Sequence, residues 1–131
     1  MPESPVILAL AFGVGRIINF SLKRKVEALA LALGDCPVFT QDDLGSILSL
    51  KSVRAKQPGA HISSLAIIEQ FARVAKMNGW NCVHLVAAKQ HTRRCARDLR
   101  RIMPQAKVVL TPVRTPYCHD RWWWVRSPLV W

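Results

Sequence analysis

His91 and Arg94 are the pair in this chain whose types and spacing point most directly to chemistry. Three residues is about one turn of helix, so the two side chains can share one crevice. A guanidinium offers a planar fork to an oxyanion, and an imidazole can donate, accept or change charge near neutrality. Together they make a clamp for phosphate or carboxylate. The same residues also fit a plainer reading, in which His91 is a capping or surface residue and Arg94 belongs to a solvated row with Arg93, Arg97, Arg100 and Arg101.

Gly13-Val14-Gly15 is the second candidate, because glycines at a strand-to-helix joint let backbone amides approach a phosphate closely. Two glycines without a third equally describe a tight turn. Asp42 and Asp43 could hold a cation or act as a base, although adjacent aspartates in a turn commonly serve as solvent-facing caps. Cys36, Cys82, Cys95 and Cys118 show no Cys-x-x-Cys pairing, which suits a reducing compartment. A zinc site can be drawn from His91, Cys95, Cys118 and His119, but neither pair has the loop spacing of structural zinc ligands, and no metal is expected.

These residues need a scaffold, and the apolar pattern supplies one. Val6 to Phe12 is a continuous apolar run ending in glycines, the mark of a central strand buried on both faces. Ile18, Leu22, Val26, Leu29 and Leu33 then recur at helical spacing, with Gly34 as the stop. Cys36 to Thr40 reads as a short second strand. Ser46 to His61 is the least legible region, a turn of helix at Ile47, Leu48 and Leu50 followed by a basic loop. A clear helix follows, with Leu65, Ile68, Phe71, Ala72 and Ala75 inward and Asn78-Gly79 closing it. From Gly79 to Pro112 the chain reads strand, helix, strand, with Val83 to Ala87, then Cys95, Leu99 and Ile102, then Val108 to Leu110. This alternation predicts an α/β fold: a three-layer sandwich around a mostly parallel sheet of about four strands. In such sheets ligands collect where strands end and helices begin, which is where His91 and Arg94 fall.

At 131 residues the chain suits a single α/β domain spanning residues 1–131. Its 19 Lys plus Arg against 8 Asp plus Glu, net charge +11, favour anionic partners: an anionic small molecule, nucleic acid or a membrane surface. Residues 113–131 differ in character from the rest. Arg121, Trp122, Trp123, Trp124 and Arg126 have the composition of a membrane-interface or nucleic-acid stacking segment, and also of a tail folded back over an apolar edge. The ending Pro-Leu-Val-Trp reads as a chain truncated before a last helix. Val6 to Ile18 is too short and too interrupted for a membrane span, and no signal peptide is evident, so a cytoplasmic location is expected.

The run Leu85-Val86-Ala87-Ala88-Lys89-Gln90-His91-Thr92-Arg93-Arg94-Cys95-Ala96, with Gly79 ahead and Val108 to Pro112 behind, resembles the SanA, ElyC and YdcF-like family of Rossmann-like domains. The shared hallmark is a strand followed by His-x-x-Arg opening a helix, matched here by His91 and Arg94. The resemblance implies a glycine-rich first loop at Gly13 and Gly15 and assigns Ser64 to the position of a Thr before the preceding helix. The tail with Arg121, Trp124 and Arg126 is similar to segments leading into that family's last helix. Ala87 and Ala88 stand where the family has hydroxyls, Thr40-Gln41-Asp42 replaces a Ser-Gly-Gly turn, and the acids expected between Gly45 and Ile68 are missing.

The expectation is therefore a Rossmann-like domain that binds a nucleotide-like or phosphorylated anion at the C-terminal edge of its sheet, through Gly13, Gly15, Ser64, His91 and Arg94. Whether catalysis follows stays open, and no cofactor is identifiable. The alternatives are a basic nucleic-acid-binding module and an envelope- or membrane-associated interaction protein, the envelope theme coming from the resemblance.

Overall fold

Five strands run in one direction through the computed structural model, which describes residues 3–10, 16–55 and 64–114, with the side chains of 16–18, 42 and 43 left aside. In chain order the elements are β1 (Pro5–Ala9), α1 (Arg16–Ala32), β2 (Val38–Thr40), α2 (Asp42–Gly45), β3 (Val53–Arg54), α3 (Ser64–Asn78), β4 (Cys82–Ala88), α4 (Lys89–Ile102) and β5 (Lys107–Val113). The sheet order is β3-β2-β1-β4-β5, every pair parallel. β1 is central, and the order reverses between β1 and β4, the arrangement that opens a crevice at the carboxyl ends of a doubly wound sheet.

Alternation along the strands sorts the core into two layers. Val6, Leu8 and Leu10 with Val83, Leu85 and Ala87 pack beneath α3 and α4, against Ile67, Ile68, Phe71, Ala75, Cys95, Ala96 and Leu99. Ile7, Ala9, Val86 and Ala88 face the other way, against Leu22, Val26 and Ala30 of α1 and Leu44 of α2. Both faces of β1 and β4 are thus covered, which is why those strands read as unbroken apolar runs and not as alternating ones. Phe71 meets Phe39 edge to face at 5.4 Å.

The expected three-layer α/β sandwich is observed, with five strands in place of about four. The extra strand is β3, two residues inside the stretch read as a basic loop. It pairs through the backbone with β2 and leaves Val53 and Arg54 exposed, so it has no apolar run to announce it. One turn of helix, α2, occupies the position read as an aspartate turn, because Leu44 is drawn into the core. Gly34 and Gly79 end α1 and α3 in the left-handed region at φ 74° and 70°, the stops the sequence marks. Among the described residues no helix is long and apolar enough to cross a membrane. Trp122 to Trp124, Trp131, Cys118 and His119 lie outside the described residues.

Candidate functional site

α4 begins with no gap after β4, Ala88 ending the strand and Lys89 starting the helix. Ala88 is the N-cap residue, and its methyl side chain makes no cap hydrogen bond to the first turn. The first turn also holds no acid. Its leading amides point past the strand end with no internal acceptor, and the helix dipole adds partial positive charge there. Thr92 holds the joint together instead. Its buried hydroxyl donates to the Ala88 carbonyl at 3.1 Å, fastening the first turn back onto β4 without using an amide.

His91 and Arg94 lie one turn apart, and an Arg94 Nη2 donates to His91 Nδ1 across 3.3 Å. That bond requires Nδ1 to be the unprotonated nitrogen, so the imidazole is neutral with its proton on Nε2. Burial, with the Arg94 charge adding to it, holds the His91 pKa down at about 4. Arg94 itself is exposed.

Ser64 opens α3 and hydrogen bonds with the Cys95 thiol. Since Cys95 is one turn beyond His91, the starts of α3 and α4 meet there, and Ser64, His91 and Arg94 are brought to one end of the groove between the two helices. Burial raises the Cys95 pKa, so it stands there as a thiol and not as a thiolate nucleophile. Gly13 and Gly15, expected at the same rim, lie outside the described residues, as do the side chains of Asp42 and Asp43. Thr40 ends β2 with its hydroxyl donated to the Ala9 carbonyl at 2.7 Å, so it clasps two strand ends together.

Two features were not anticipated from the sequence. In the first turn of α4 the Gln90 Nε2 is buried without a hydrogen-bond partner among the described residues, a condition that costs about 1–3 kcal/mol unless something accepts from it. Its only signal in the sequence is an amide side chain at the second position of an uncapped helix. On the opposite face of β4, Cys82 Sγ and His84 Nε2 approach to 3.7 Å. Residues two apart on a strand share a face, so this pair was readable in principle. Burial raises the Cys82 pKa, so it stands beside His84 as a thiol and not as a thiolate. Among the described residues no three of His, Cys, Asp and Glu are grouped to hold a metal ion.

No protein-family model matches the chain, and no characterised protein or solved structure matches it either.

Proposed function

We propose that this domain binds an anionic small molecule, phosphorylated or nucleotide-like, at the start of α4 on the C-terminal edge of the sheet. The observation that carries the reading is the first turn of α4, which has no side-chain cap from Ala88 and no acid, and which holds an orphaned Gln90 amide with Arg94 exposed beside a neutral His91. An oxyanion accepts from the amides and from Gln90, Arg94 neutralises its charge, and His91 Nε2–H is a further donor class for its oxygens. Ser64 supplies a hydroxyl at the adjoining helix start. The likeness of the His-x-x-Arg joint to the SanA, ElyC and YdcF-like family supports the same pocket. The test is mass spectrometry of small molecules that copurify with the chain and with Arg94→Ala: a phosphorylated species carried by the first and lost from the second supports the reading. Equal retention by both removes it.

A second reading rests on a different observation. Arg93, Arg94, Arg97, Arg100 and Arg101 are all exposed on α4, with Asp98 as the acid among them, 3.9 Å from Arg97. Such a face attracts a nucleic-acid backbone. Its signature is affinity for single-stranded oligonucleotide that falls steeply with salt, and salt-insensitive binding excludes it.

A further inference from the structure

At the other edge of the sheet, where α3 and α4 end, a cleft of about 580 Å³ opens between them. That volume is within the range of about 300–1,000 Å³ typical of small-ligand pockets. Its walls are mainly apolar, with Ala72 on α3, Trp80 before β4, and Ile102 and Met103 at the end of α4. The site proposed above is at the opposite ends of the same helices, so the two are independent.

The cleft is built, not incidental. Trp80 stacks on Phe71 with ring centroids 6.2 Å apart and planes at 22°, which fixes the indole against the core while it lines the cleft. Its amide donates to the Ala75 carbonyl at 3.0 Å, locking the turn at Gly79. Asn81, also in the wall, is held from several sides: its carbonyl accepts from the Lys107 amide at 2.9 Å, and its Oδ1 accepts from the Ser4 amide at 2.7 Å. Walls tied in this way need little ordering on binding, which favours affinity.

The rim decides the sign of the ligand. Arg73 and Lys76 stand one turn apart along it, both exposed, against the single acid Glu69. The helix ends carry the negative end of their dipoles, so an anionic group belongs over Arg73 and Lys76 and not over Met103.

We infer that this cleft takes an amphipathic monoanion, a flat ring or short acyl body lying along Trp80 and Met103 with its carboxylate or similar acid at Arg73 and Lys76. The test is an amide NMR titration of the full chain with naphthoate and with the neutral naphthylmethanol. Naphthoate should shift the amides of Trp80, Asn81, Gln105 and Ala106 saturably and leave those of Lys89 to Thr92 in place. The alcohol should bind about tenfold more weakly, and that gap should close in the Arg73→Ala/Lys76→Ala variant, whose changes lie on the exposed surface. Met103→Trp, filling the cleft, should abolish both. Equal affinity for the two compounds, shifts centred on the start of α4, or no saturable binding would overturn the inference.

Discussion

The imidazole of His91 ties the candidate site to pH in two ways. In the free protein its pKa is depressed to about 4 from an ordinary 6.5, so the unfolded chain takes up a proton before the folded one does. The resulting stability is present above about pH 6.5 and is lost as pH falls towards about 4, an effect of up to about 3 kcal/mol. His91→Asn should flatten that part of the acid-unfolding curve, and a curve unchanged by the substitution would mean the imidazole is solvated. A bound anion acts in the opposite sense by favouring the imidazolium. Sulfate, whose own charge is constant over this range, should therefore bind more tightly as pH drops from about 7 to about 5, with proton uptake measurable by calorimetry in buffers of different ionisation heat. The His91→Asn variant should show no such pH dependence. His91 and Arg94 were legible in the sequence because residue type and helical spacing are both local. The Ser64 bond to Cys95 and the orphaned Gln90 were not, since each depends on how α3 and the end of β4 pack against α4.

At the level of elements, the proposed anion site makes the cap of α4 the point where stability and binding should pull apart. Ala88→Ser would place an oxygen where it can accept from a first-turn amide, a change worth about 1 kcal/mol to a helix. The expected outcome is a higher melting temperature with weaker sulfate binding, because the same amides are then occupied. A gain in both would show that the ligand does not use them. Thr92→Val should lower stability by about 1 kcal/mol in thermal unfolding, since the Ala88 carbonyl loses its buried donor. Helices α1, α3 and α4 and strands β1, β2, β4 and β5 were readable because each carries a periodic apolar set or run in its sequence. β3 was not, because two exposed residues held by backbone pairing leave no pattern in side-chain types. α2 escaped for a related reason: a single turn offers one buried residue, Leu44, and one residue has no period.

Over the whole molecule, the topology places the uncapped start of α4 beside the carboxyl end of the central strand, and the net charge of +11 surrounds it with a positive field. That field draws anions to every basic surface, so affinity alone does not identify a site. Location does. The most direct measurement is an amide NMR titration of the full chain with inorganic phosphate, using chloride at matched ionic strength as the reference. Saturable shifts concentrated at Lys89, Gln90, His91 and Thr92, absent in Arg94→Ala, are the predicted result. Shifts spread along Arg93, Arg97, Arg100 and Arg101 that chloride reproduces would contradict it, leaving a basic surface in place of a pocket.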